Sequence, residues 1–409
     1  MSHNQIGMFR YPMSHSVDSM KTQLGKLPLE QSELFLFRNA TARAGSMTND
    51  GHRRLYTHES GAELTRLMER MADATGVLVP AALSQVSIPV IAPGIKDLTP
   101  CVPCQATHNA DWANLPATIS EFRNILTKMV EERGYEFPQV PAMQGDGIVT
   151  VGGGKYWAGI AVSIKMLRES GCTLPVEVWY RGDLEPVKRD DVTDCGDVRF
   201  VDTYVHAAAN GGARILGGWE SKVWAMANTK FERILFLDAD AYCLEDPTDL
   251  IQGLATSEPF QYWEDTPNQK DSIKWDKVWP KATRDIPPVQ GGQMLIDRGR
   301  CWKFICIIQW MNQHSDLYYK HMFGDQDTYR VALDAMGDKS LWKCLSSVNS
   351  TKNVLIVSHN ETPFIIHRTN SKLFPPQWRQ GNGRAWDGVT QDVPGDDRIV
   401  RHLPGVDEA

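Results

Sequence analysis

No stretch of the 409 residues approaches the roughly 18 consecutive apolar residues that a membrane-spanning helix needs. The opening residues Met1 to Gly7 also lack the charged-then-apolar plan of a secretion signal. Together these absences predict a cytoplasmic protein with no membrane span. An excess of positive charge is missing too: 43 Lys and Arg stand against 50 Asp and Glu, a formal net charge of −7, so a sequence-independent grip on nucleic acid is not indicated. Internal repeats and low-complexity segments are absent. Cysteine is sparse and scattered, with eight at positions 101, 104, 172, 195, 243, 301, 306 and 344, which predicts reduced core thiols rather than a disulfide framework. Cys101, Cys104 and His108 have metal-ligand spacing, but no second pair follows at a zinc-finger interval. A zinc site and a Pro-containing turn both remain open there.

What is present suits a globular α/β enzyme: 42% hydrophobic and 23% charged residues can build a large core. Residues 1–145 show few strand-like runs and read as an irregular, partly helical amino-terminal region of unknown role. Within it, the spacing of Ile119, Phe122, Ile125, Leu126, Met129 and Val130 predicts a helix with one buried face. From residue 146 the texture changes to alternating strands and helices, the mark of right-handed βαβ units. Strands are expected at 148–151, 176–180, 293–297, 354–357 and 364–367. Helices are expected near 157–170, 219–229, 300–313 and 325–335. Residues 146–375 form the expected α/β domain with a mixed central sheet, and 376–409 a tail over its surface.

The most informative stretch is the apolar run Ile234 to Leu237, followed by Asp238 and Asp240. Such a run is typical of a strand buried on both faces. Strand alternation aims both carboxylates the same way with Ala239 turned aside. Two hard oxygen ligands suit Mg²⁺ or Mn²⁺, and open α/β sheets bind ligands at the carboxyl ends of their strands. The competing reading is a solvated acidic turn. Gly152, Gly153, Gly154 and Lys155 follow the first strand and either approach a nucleotide or simply form a turn. They match neither a P-loop nor G-x-G-x-x-G. Aromatic residues are frequent further on, at Tyr262, Trp263, Trp275, Trp279 and Trp378, as an acceptor-sugar platform or as core.

Taken in order, Gly147 to Tyr156, Ser163 to Arg168, Leu174 to Tyr180, Lys222, Leu235 to Asp240 with Asp246-Pro247, and Gln290 to Asp297 resemble the GT-A glycosyltransferases. Gly324 to Asp327 and His367 to Lys372 extend the pattern. The nearer resemblance is to fungal Golgi-type α-mannosyltransferases, specifically the α-1,3-mannosyltransferase family. A more distant one is to the glycogenin and lipopolysaccharide galactosyltransferase group. It spans about residues 146–375, and those mannosyltransferases normally carry an amino-terminal membrane anchor that is not seen here.

The resemblance implies a GT-A, Rossmann-like domain with Asp238, Asp240 and His367 as metal ligands. It makes Lys222 and Lys372 diphosphate contacts, although the interval from His367 to Lys372 differs by one residue from the glycogenin-like pattern. Gln290, Gly291 and Gly292 are expected near the donor sugar or acceptor, with a tight turn as the plain alternative. Asp325, Gln326 and Asp327 are expected at the sugar hydroxyls or the reacting carbon, with a helix cap as theirs. For His367 the alternative is a half-buried strand-end histidine, and for Lys222 a surface lysine. The implied activity is metal-dependent transfer of a hexose from a UDP- or GDP-sugar to a carbohydrate or other hydroxyl-bearing acceptor, with retention of configuration. A sugar nucleotidyltransferase and a non-catalytic carbohydrate- or partner-binding module are the alternatives.

Overall fold

The computed structural model describes residues 118–209, 218–266, 272–347, 349–351, 354–369, 371–373, 384–385 and 393–403. Cys101, Cys104, His108 and Trp378 lie outside the described residues. Helix α1 (Ile119–Glu131) starts at a capping box: Thr118 Oγ1 accepts from Glu121 N–H, and Glu121 Oε2 accepts from Thr118 N–H, both at 3.2 Å. Then come β1 (Asp146–Val151), α2 (Trp157–Glu169), β2 (Val176–Tyr180), β3 (Val198–Asp202), α3 (Glu220–Asn228), β4 (Arg233–Asp238) and β5 (Ala241–Cys243). The chain continues through β6 (Phe260–Glu264), β7 (Val289–Asp297), α4 (Trp302–Gln313), α5 (Gln326–Met336) and β8 (Trp342–Ser347). It closes with β9 (Asn349–Thr351), β10 (Val354–His359), β11 (Thr362–His367), β12 (Ser371–Lys372), β13 (Arg384–Ala385) and α6 (Asp396–His402).

Seven strands form the central sheet in the order β3-β2-β1-β4-β7-β6-β8. Its β3-β2-β1-β4 half is parallel, β7 runs antiparallel to β4 and β6, and β8 is parallel to β6. The result is the mixed, parallel-rich α/β sheet expected from the sequence. A second, antiparallel sheet has the order β5-β11-β10-β9.

The apolar run before the acidic pair has a direct cause. Ile234 and Phe236 enter one core with α1, α3, α4 and α5, while Leu235 and Leu237 enter another with α2. Helix α1 is therefore part of the domain core, with Phe122 4.0 Å from the Trp310 ring and edge-on to Tyr318. At the far end of the chain, α6 packs Ile399 against Val162 and Met166 of α2. Among the described residues no helix is long and apolar enough to cross a membrane.

Two expectations change. Gln290 to Gln293 do not precede a strand as a turn but lie inside β7. The missing side chains of Gly291 and Gly292 make room for others: a Cβ on Gly292 would sit 2.1 Å from the His367 ring, and one on Gly291 would sit 2.9 Å from Gln326 Cβ. Tyr262 and Trp263 are not a sugar platform, because both are fully buried on β6.

Arg298, fully buried just after β7, ties the helix bearing Lys222 to the sheet. Its guanidinium donates to the carbonyls of Met226, Ala227 and Thr229 at 2.6 Å and to that of Phe231. These carbonyls end α3 and lead into β4, where helix acceptors otherwise lack partners. Burial lowers the Arg298 pKa to about 10, so the side chain stays charged at neutral pH. Arg298→Met is expected to strand several buried acceptors and destabilise the fold by more than about 3 kcal/mol. Urea denaturation measures this; a loss within experimental error would refute it.

Candidate active site

The sheet brings together residues that are far apart in sequence at the carboxyl ends of β1 and β4. Asp238 is the last residue of β4 and faces Val151 of β1 in register. The strand stops there, so alternation is not what joins the two carboxylates. Residues 239 and 240 form a turn, with Ala239 packed in the α2-side core, and β5 then enters the second sheet. In that sheet Ala241 pairs with His367, and Arg368 N–H donates to Asp240 O at 2.9 Å. His367 Nε2 consequently lies 3.3 Å from Asp240 Oδ1 and 4.0 Å from Asp238 Oδ2. One ligand atom from each of Asp238, Asp240 and His367 lies within 4.8 Å of the others.

Two ammonium groups neutralise this cluster. Lys222, on α3, donates to Asp238 at 2.8 and 2.9 Å and lies 3.6 Å from Asp325. Burial alone would lower its pKa, but Asp238 and Asp325 outweigh that and raise it, so it is cationic rather than a loose surface lysine. Lys372 pairs with Asp240 from the other side. Burial pushes the Asp240 carboxyl up, yet Lys372 and His367 together hold it well below the usual carboxylate range. Lys372 is aimed by the turn before it: buried Arg368 binds Ser371 through its carbonyl and hydroxyl, both at 2.9 Å, and pairs with Asp396 of α6.

Gln290 links β7 to this cluster. Its Oε1 accepts from Gly292 N–H at 2.6 Å, and its Nε2 lies 2.8 Å from His367 Nδ1. In that orientation the amide donates to Nδ1, which leaves the proton of a neutral ring on Nε2, toward Asp240. Ligation of a metal through Nε2 requires the other tautomer. Turning the Gln290 amide over lets Oε1 accept the Nδ1 proton, at the expense of the Gly292 contact.

The remaining candidates divide. Asp325 makes no capping bond at the start of α5; its carboxylate instead accepts from Tyr329 Oη at 3.1 Å and faces Lys222. Burial raises its pKa, and Asp238 adds to the rise that Lys222 opposes. Gln326 Nε2 donates to Asp265 Oδ2 at 3.3 Å. Asp327 turns elsewhere, accepting from Ser272 Oγ at 2.9 Å and Phe323 N–H at 2.7 Å, and burial raises its pKa to about 6.

The glycine loop lies beside the acidic turn. Gly152 sits against Ala239, and a Cβ on Gly153 would be 2.0 Å from Glu185 O, so that position is confined to glycine. Lys155 follows in a short 3₁₀ turn, its pKa lowered by burial with Lys372 and Arg181 contributing. No motif or spacing in the sequence marks Gly159, where a Cβ would meet Ala239 O at 2.2 Å; that glycine lets α2 close on the acidic turn. No recognisable spacing marks Asp265 either.

Two carboxylates, an imidazole and two flanking ammonium groups can bind a divalent cation together with the oxygens of a diphosphate. Residues 145–265 match a family model described as "Mannosyltransferase putative". Over 153 residues the chain is 35% identical to α-1,2-mannosyltransferase MNN24 of Candida albicans, covering 34% of this chain and 18% of that protein. It is 30% identical over 182 residues to α-1,2-mannosyltransferase MNN5 of Saccharomyces cerevisiae, covering 42% of this chain and 29% of that protein. It thus spans well under half the length of either relative. Both names give an α-1,2 linkage, where the sequence resemblance pointed to the α-1,3 family. Among solved structures, the galactosyltransferase LgtC bound to donor and acceptor sugar analogues is similar at 15% identity and a TM-score of 0.38, over 63% of this chain and 95% of that one. Mouse xyloside xylosyltransferase 1 is similar at 16% identity and a TM-score of 0.35, over 49% and 85%. The family-model match spans the segment that holds Asp238 and Asp240, and through it the chain resembles the putative mannosyltransferases.

Proposed function

We propose that this chain is a GT-A-type glycosyltransferase that moves a hexose, mannose by its relatives' names, from a UDP- or GDP-sugar to an acceptor hydroxyl with retention of configuration. The observation that carries the proposal is the convergence of Asp238, Asp240 and His367, flanked by Lys222 and Lys372, at the carboxyl ends of the parallel strands. Mn²⁺ or Mg²⁺ held by those three side chains supplies Lewis-acid charge for a departing diphosphate.

The chain's own residues do the rest. Lys222 and Lys372, now paired with carboxylates, stand ready to pair with phosphate oxygens instead. A unit charge about 4 Å from another is worth roughly 4 kcal/mol at an effective dielectric of about 20, before desolvation. Gly152 to Lys155 line the nucleotide side, and Gln290 orients His367. Gly291 and Gly292 serve by yielding space to Gln326 and His367. Asp325 and Gln326 face the sugar, and Asp327 fixes the backbone before α5. Attack on the face that the diphosphate leaves, with a phosphate oxygen taking the acceptor proton, requires no protein nucleophile.

With a panel of UDP- and GDP-sugars and Mn²⁺, the protein is expected to release free nucleoside diphosphate from one donor. Asp240→Asn should lower that release by more than about 100-fold and remove the thermal stabilisation given by Mn²⁺, while keeping the fold. Undiminished metal-dependent turnover in the variant overturns the assignment, and release of pyrophosphate from a nucleoside triphosphate points to a nucleotidyltransferase.

Asp327 makes a separate prediction. Its carboxyl ionises near about 4 in the unfolded chain and about 6 in the folded one. Between those values the folded state binds more protons, so Asp327 makes stability fall as pH rises. Asp327→Asn lacks this decline. Its stability relative to the parent protein should climb by on the order of 2 to 3 kcal/mol between about pH 4 and 6. Urea titrations at each pH measure the difference, and a flat one contradicts the prediction.

A further inference from the structure

Between Arg330 of α5, Glu264 of β6 and residues 273–276 and 284–288 lies a cavity of about 480 Å³, a size common for small-ligand sites. Trp275 forms part of its wall, with the Arg330 guanidinium 5.4 Å from that ring's centroid. The charged lining is balanced: Glu264, Asp276 and Asp285 against Lys274, Arg284 and Arg330. A strongly charged ligand gains little from such a lining as a whole. A neutral polyol finds both donors and acceptors there.

Arg284 has a φ of 63°, a left-handed conformation uncommon for a residue with a side chain. Asp334 of α5 holds it there, accepting from Thr283 N–H and Thr283 Oγ1 at 3.0 Å and from Arg284 N–H at 2.8 Å. Strain maintained in this way at the rim of a cavity points to a task for the side chain it presents.

The cavity adjoins the candidate active site. Glu264 pairs with Val289, one residue before Gln290, and Asp265 binds both Pro288 O at 2.8 Å and Gln326. Gln326 and Arg330 lie on one face of α5, four residues and about 6 Å of helix rise apart. Gln326, beside the candidate active site, and Arg330, in the cavity wall, are thus one helical turn apart.

We propose that this cavity is a subsite for a neutral saccharide unit of the acceptor, one or two sugars removed from the hydroxyl that is glycosylated. The proposal rests on the transferase reading above. Calorimetric titration of the intact chain without donor, using methyl α-mannoside, α-1,2-mannobiose and α-1,2-mannotriose, tests it. The trisaccharide should bind at least about tenfold more tightly than the monosaccharide. Arg284→Gly should weaken trisaccharide binding roughly tenfold with an unchanged or raised Tm, because glycine adopts that φ freely. Glu264→Gln supplies the same comparison if the first variant is unstable. Absent binding, affinity independent of chain length, or variants that bind like the parent protein would each overturn the subsite. Donor turnover measured separately keeps the two readings apart: if it fails while length-dependent binding persists, the saccharide site stands and only the transfer reading falls.

Discussion

The candidate active site depends on one pairing: the three residues of β5, just past the acidic turn, joined to the last three of β11. That antiparallel contact sets His367 beside Asp240, and the following turn, bound by Arg368, returns Lys372 to the same carboxylate. Without it, β4 would end in two carboxylates with only Lys222 for company. The second sheet therefore works as a clasp, and buried Arg368 and Asp396 secure it with α6.

Charge balance explains why the cluster persists in the folded chain. Asp238, Asp240 and Asp325 face Lys222 and Lys372, and buried charges are tolerated only when paired. The same pairing leaves the site convertible. On the function proposed above, a cation would take Asp238 and Asp240 while phosphate oxygens would take the ammonium groups, so ligand binding would exchange partners. Lys222 can take part because Arg298 anchors the end of its helix to the sheet. Gln290 adds a constraint of its own, since one amide serves both the β7 backbone and the imidazole.

Glycines do a different task from the one their spacing suggests. Paired glycines before an apolar run read as a turn or as room for a ligand. In β7 they hold open the volumes filled by the His367 ring and Gln326. Gly159, unremarkable in sequence, allows α2 to meet the Ala239 carbonyl. Such contacts join elements far apart in the chain, and no local pattern encodes them. Buried Tyr262 and Trp263 make the same point, because an aromatic residue on a central strand and one on a sugar platform look alike in one dimension.

The sequence alone determined the alternation of strands and helices, the parallel half of the sheet, and the strand ending at Asp238. Those features rest on periodicity and continuous burial, which neighbouring residues set. It also named the residues of the ionic cluster, chiefly through resemblance. How they meet follows from long-range pairing. Asp238 and Asp240 converge through a turn into a second sheet rather than through strand alternation, and Asp327 faces Ser272 and the Phe323 backbone rather than the ionic cluster. These outcomes depend on pairing across long sequence separations, where backbone hydrogen bonds and packing volume choose the partner.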